Sequence, residues 1–151
     1  MSIPILVTSK IYSPELVRAN PNKLFVFGDN LERVGNGGQA CIRGEANSIG
    51  IATKVSPSEC FSEYSWMKYK EMIDKDLRDI ERILSSASFI TGYKYVVFPE
   101  MFVGTGLASL PVLAPTLMFY LSNWYMISCN LFGVERDSGE VIDPGSALTI
   151  H

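Results

Sequence analysis

The sequence predicts a three-layer α/β domain, a mixed and mostly parallel sheet flanked by helices. Three observations carry that expectation. Residues 23–27 (KLFVF) and 95–99 (YVVFP) are short, continuous apolar runs, the pattern of strands covered on both faces. Each run leads into a glycine-rich turn and then into a segment that can be helical, as in a sheet built from strand–turn–helix units. Tyr69, Met72, Ile73, Leu77, Ile80, Ile83 and Leu84 recur at intervals of three and four, which gives an amphipathic helix able to cover such a sheet.

Taken in order, residues 3–7 are short and β-branched and are expected to form an edge or first strand. Ser13 as N-cap, Pro14 at the first helical position and Glu15 in the first turn open a short helix. It ends near Asn20, Pro21 and Asn22, because a residue before proline avoids the α region. The strand over 23–27 is closed by Gly28, Asp29 and Asn30, and residues 39–45 start a helix after the glycine-rich segment 33–38. Residues 49–53 make another short strand. Lys70, Glu71, Asp74, Lys75, Arg78, Asp79 and Arg82 form the solvated face of the amphipathic helix. Residues 101–106 are a loop, and 107–130 are helical in two pieces, because Pro115 breaks or begins a helix. Residues 140–142 and 147–150 are expected to pair weakly in a peripheral hairpin or to form a flexible tail. The predicted organisation is one domain over 1–133, followed by that tail over 134–151.

The chain has 151 residues, of which 19% are charged, and a net charge of -3. That length supports a real core, and the modest charge argues against disorder. The acidic balance argues against a basic nucleic-acid-binding surface. Cys41, Cys60 and Cys129 are far apart, and the one histidine is His151. They suggest neither a disulfide framework nor a metal cluster, but reduced, mostly buried thiols in a cytoplasmic protein. No cofactor is implied, and His151 is assigned no role. The first ten residues lack the basic region of a leader peptide. The apolar stretch 107–132 is interrupted by Pro111, Pro115, Ser122, Asn123 and Asn130, so it reads as a buried helix; a membrane span needs about 20 nearly unbroken apolar residues.

Two constellations carry chemistry. The first is Gly28, Asp29 and Asn30 followed by Gly35, Asn36, Gly37, Gly38 and Gln39. Glycines let backbone N–H groups approach an anion, and a helix starting near Gln39 adds its positive end. Neither the Walker lysine nor the Rossmann glycine spacing is present. The second is Val103, Gly104, Thr105, Gly106 and Leu107, where the Thr105 hydroxyl joins the loop amides. Ligands of open α/β sheets lie outside the carboxyl ends of the strands, so the two loops are expected to meet at one rim and hold a diphosphate. Asp29 is a candidate to orient a water, Asn30 to hold a ribose hydroxyl and Glu100 to act as a further acid or base. Gln39, Arg43 and Lys54 approach from the adjoining segments, with Arg43 and Lys54 offsetting phosphate charge. Trp66 and Trp124 are read as core or lid residues, and Tyr64 or Trp66 as a cover for a base.

At these loops the chain resembles the macro domain, an ADP-ribose-binding α/β module. The matching text is Gly28-Asp29-Asn30, Gly35-Asn36-Gly37-Gly38-Gln39-Ala40, and Phe98-Pro99 with Gly104-Thr105-Gly106, in the family's order along the chain. The strings FVFGDNLERVGNGGQA, IRGEAN, GIATK and GTGLASLP are more closely similar to small macro-like proteins of tailed bacteriophages and bacteria. That resemblance implies that Arg43, Glu45, Thr53 and Lys54 belong to the site. Macro enzymes of the common hydrolase type carry Asn-Ala-Ala-Asn where this chain has Phe-Gly-Asp-Asn, so only Asn30 carries over. Bulky Met101, Phe102 and Val103 also stand where small residues precede the family's first phosphate-loop glycine.

The resulting expectation is a protein that binds ADP-ribose or a related adenine-nucleotide diphosphate. A phage setting would make a defence signalling nucleotide the ligand, in the host cytoplasm, and hydrolysis of an ADP-ribosyl linkage the enzymatic branch. The alternative is a non-catalytic oligomeric interaction protein or a sequestering protein of the same fold, with residues 107–132, rich in Leu, Met, Phe, Tyr and Trp, as the homo-oligomer interface.

Overall fold

The computed structural model describes residues 2–145. Its sheet is built around β2 (Lys23–Asn30), whose apolar run is buried on both sides. With β1 (Ile5–Thr8), β3 (Ser48–Ser56), β4 (Glu59–Cys60), β5 (Tyr95–Pro99) and β6 (Val134–Arg136), it gives the order β4-β3-β2-β5-β1-β6. Every neighbouring pair is parallel except β3–β4, so this is an α/β fold with a mixed, mostly parallel sheet.

Side chains alternate across the strands and divide the core into two layers. Ile5, Leu24, Val26, Val96 and Phe98 pack with α2 (Trp66–Leu84) and α5 (Pro115–Phe132), through Ile73, Leu77, Ile80, Leu117 and Leu121. Leu6, Phe25, Phe27 and Val97 pack on the opposite side against α1 (Pro14–Arg18) and a 3₁₀ turn at Gly38–Ile42. The Ser13 hydroxyl caps α1 by accepting the Leu16 N–H at 3.1 Å. Two shorter helices, α3 (Ser88–Thr91) and α4 (Leu110–Leu113), complete the connections. Pro115 begins α5, which confirms the expected two-piece helix. No helix among the described residues is long and apolar enough to cross a membrane.

Several expectations change. Strand β1 is the first strand, one of the two expectations, but not an edge, because β6 pairs with it in parallel. Val134–Arg136 therefore belong to the sheet, and the segment after them is docked. Asp137 accepts the Thr8 hydroxyl at 2.8 Å, Val141 is buried, and Asn20 exchanges two hydrogen bonds with the Ile142 backbone. This replaces the peripheral hairpin or loose tail, of which residues 147–150 lie outside the described residues. Part of the presumed solvated face of α2 is turned toward α5. Asp74 accepts the Tyr120 hydroxyl, Lys70 Nζ lies 4.7 Å from the Tyr120 ring centre, and Glu81 accepts the Trp124 indole N–H at 2.6 Å. The three cysteines are free but only half-buried.

Candidate functional site

The two glycine loops meet at one rim, outside the carboxyl ends of β2, β3 and β5. Between them lies a cavity of about 260 Å³, walled by Gly28, Asp29, Asn30, Gly35, Gly37, Gly38 and Gln39 on one side and Gly104, Gly106 and Leu107 on the other. A Cβ placed on Gly37 would sit 3.5 Å from Leu107 Cδ1, so the loops are one side chain apart. A second cavity, of about 320 Å³, adjoins the first across Gly38 and Gln39. Thr8, Ser9, Lys10, Ile11 and Tyr12 line it, with Pro99, Glu100 and Met101 opposite.

Gln39 sets the spacing of the loops. Its side-chain oxygen accepts the Gly28 N–H at 2.8 Å, and its side-chain nitrogen donates to the Phe102 carbonyl at 2.9 Å. It acts as a strut between the end of β2 and the second loop, as well as lining both cavities. The helix expected over 39–45 is only the five-residue 3₁₀ turn, which ends where Arg43 becomes extended and Gly44 adopts φ +91°. Five residues sum to little macrodipole, so this turn does not supply the positive helix end expected at the rim. Among the described residues, the backbone N–H groups of Gly35–Gln39 and 103–108 donate to no protein acceptor.

Gly28, Asp29 and Asn30 do not form a closing turn. They continue β2, with a bulge between Asp29 and Asn30 that takes the partner from Ala52 to Lys54. The cause is local. Asp29 accepts the Asn30 N–H on its own carboxylate at 2.7 Å and so removes that donor from the ladder. Asp29 is buried, is ion-paired with Arg43 at 2.5 Å and accepts from Arg33 at 3.3 Å. Gly50 lets this carboxylate lie against β3, since a Cβ there would come within 2.6 Å of Asp29 Oδ2. Asn30 donates to the Val34 carbonyl at 2.7 Å, while its buried Oδ1 has no hydrogen-bond partner among the described residues. A buried acceptor left unpaired in a native fold requires a reason, and ligand recognition is one.

The other candidates divide. Lys54 lines the first cavity and donates to the Pro57 carbonyl at 2.7 Å. Thr53 lines it too. Arg43 does not, because its guanidinium is committed to Asp29 and to the Gly35 and Val34 carbonyls. Glu45 pairs with Arg18 on the surface. Glu100 lies in the second cavity, paired with Arg136 at 3.0 Å, and is therefore not grouped with Asp29 and Asn30. The Thr105 hydroxyl folds back onto the Met101 carbonyl at 2.9 Å, and Thr105, Asn36 and Val103 are not wall residues. Val103 is buried beneath Gly28. Tyr64 is 98% exposed, and neither it nor Trp66 lines either of these two cavities.

Sequence reasoning missed Arg33 and Asp76. Arg33, at φ +58°, bonds both Asp76 oxygens at 2.8 and 2.9 Å, and Asp76 also accepts the Ala52 N–H. Burial opposes the Arg33 charge, but Asp76 and then Asp29 outweigh it and raise its pKa. The signal was present: Asp76 falls on the apolar stripe of α2, between Ile73 and Ile80, where an unpaired carboxylate is not tolerated.

Residues 7–124 match the model of a family of unknown function, DUF7831, a span that includes every residue lining the two cavities. No curated protein and no solved structure matches the chain.

Proposed function

We propose that this chain, which belongs to the DUF7831 family of unknown function, binds ADP-ribose or a related adenine-nucleotide diphosphate across its two adjoining cavities. The observation that carries the reading is the pair of facing loops whose backbone N–H groups donate to no acceptor among the described residues. Amides fixed in this way satisfy a pyrophosphate without reorganising, and each charge-assisted bond contributes about 1.5–3 kcal/mol. The distal ribose lies in the first cavity, with Asn30 and Lys54 at the wall. The adenosine end lies in the second, beside the exposed apolar side chains of Ile11 and Met101.

The geometry supports holding the ligand better than cutting it. Both Asp29 oxygens are engaged by Arg43, Arg33 and the Asn30 N–H, so Asp29 shapes the end of β2 and is not free to activate a water.

The test is a thermal-shift screen, followed by titration calorimetry, across ADP-ribose, its cyclic isomers, NAD and ADP. A ligand at one hundred times its Kd stabilises the native state by about 2.7 kcal/mol, roughly 5–10 °C for a chain of this size. Compounds that keep the pyrophosphate should give this shift. If none does at millimolar concentration, the reading is wrong. Turnover of a bound ADP-ribosyl compound would restore the enzymatic branch.

A further inference from the structure

Helix α5 contains no Asp, Glu, Lys or Arg from Pro115 to Phe132. A helix that is apolar all round is normally enclosed by its own protein. Here one side is covered by the sheet and α2, and the other faces outward. Phe119, Asn123, Met126, Ile127, Asn130 and Leu131 recur at helical spacing on that outer face. The large apolar members are 69% (Phe119), 61% (Met126), 56% (Ile127) and 71% (Leu131) exposed. Val134, just beyond the helix, adds a side chain 49% exposed.

We propose that this face of α5 is the interface of a two-fold symmetric homodimer, α5 packing against α5 of a second copy. Charge selects a second copy over a charged partner. The helix offers no complementary charge to an acidic or basic surface, but meets its own copy without like-charge repulsion. Asn123 and Asn130 lie two turns apart on the face. A carboxamide both donates and accepts, so each can pair with a symmetry mate, as an isologous contact requires. Size agrees. An aromatic side chain buries roughly 150–250 Å² when covered and an aliphatic one less, so at these exposures the apolar five offer on the order of 500 Å². The two asparagines and the helix flanks extend this toward the ~800 Å² per partner of a standard interface. The open edge of β6 does not take part, because its Glu135 and Arg136 charge that edge and oppose strand pairing. A bilayer surface is disfavoured, since α5 lacks the Lys and Arg of a membrane-surface helix.

Sedimentation velocity of the full chain, from low to several hundred micromolar, tests the proposal. The expected species is a dimer of two 16.7 kDa chains. Met126→Lys sets two cations against each other and should weaken the dimer about 100-fold, ~2.7 kcal/mol. Phe119→Lys should act alike, with circular dichroism unchanged for both. Met72→Lys, an exposed methionine of α2, should leave the dimer intact. A wild-type chain that stays at 16.7 kDa throughout overturns the proposal. So does a dimer that survives both α5 substitutions, or a monomer that floats with phosphatidylcholine vesicles, which would assign the face to a bilayer.

Discussion

Replacing Gln39 by Glu isolates the strut that spaces the two loops. The wild-type side chain accepts from the Gly28 N–H at 2.8 Å and donates to the Phe102 carbonyl at 2.9 Å. Glu preserves the shape and the acceptor, but as a carboxylate it turns an oxygen toward the Phe102 oxygen. Losing one partly buried hydrogen bond costs about 1 kcal/mol, and the opposed oxygens a comparable amount. A total of ~2 kcal/mol lowers Tm by roughly 4–8 °C for a chain of this length. Protonation restores the missing donor, so the folded protein favours the neutral acid and its folded pKa lies above the unfolded one. The sign follows from linkage. The penalty is absent below the unfolded value, about 4.3, and grows as pH rises through the folded value. Calorimetric Tm of wild type and variant at about pH 4 and about pH 8 should therefore show a gap only at the higher pH. No gap at pH 8, or an equal gap at both, refutes the strut.

Three further outcomes are expected. Gly37→Val keeps an ordinary φ of -78° and meets Leu107 only at contact distance, so the fold should persist while the space between the loops fills. Titration calorimetry should show affinity for ADP-ribose falling about 100-fold, ~2.7 kcal/mol, and retained affinity would contradict the loop assignment. Gly104→Ala places a Cβ 2.6 Å from the buried Leu110 at φ +85° and should lose about 2 kcal/mol in chemical denaturation, whereas Gly106→Ala meets nothing within 4 Å and should lose none. Burial of Asp137 opposes its ionisation, but the Thr8 hydroxyl and the Val141 and Gly139 amides outweigh it and hold its carboxyl below the usual range. Its contribution is present above the unfolded pKa and lost as pH falls through the lower folded one. Asp137→Asn should therefore narrow the stability gap between neutral and strongly acidic pH, and an unchanged gap would remove Asp137 from the acid response.

The strands and the long amphipathic helix were legible from burial: the short continuous apolar runs KLFVF and YVVFP fit strands covered on both faces, and the three- and four-residue period from Ile73 to Leu84 fits a helix. The meeting of the glycine loops was legible from topology, since both follow parallel strands at their carboxyl ends. What stayed hidden depends on pairing across distance. Nothing near Arg43 in sequence says that its guanidinium turns back onto Asp29, or that Arg33 reaches Asp76 on a helix 43 residues away. Those ion pairs convert two apparent site charges, Asp29 and Arg43, into framework. Short Val134–Arg136 also escaped detection, because three exposed residues carry no periodicity and become a strand only when β1 supplies the partner.

That last strand has a practical consequence. Arg136 holds Glu100 and Asp137 holds Thr8, and both of those partners wall the second cavity. Shortening the protein after Gly133, or loading that end with a bulky fusion, would disturb the wall of the second cavity while its own residues remain untouched. Versions made for screening should therefore carry their tags elsewhere, because a negative result from a trimmed chain would report on a missing buttress rather than on the chemistry of the pocket.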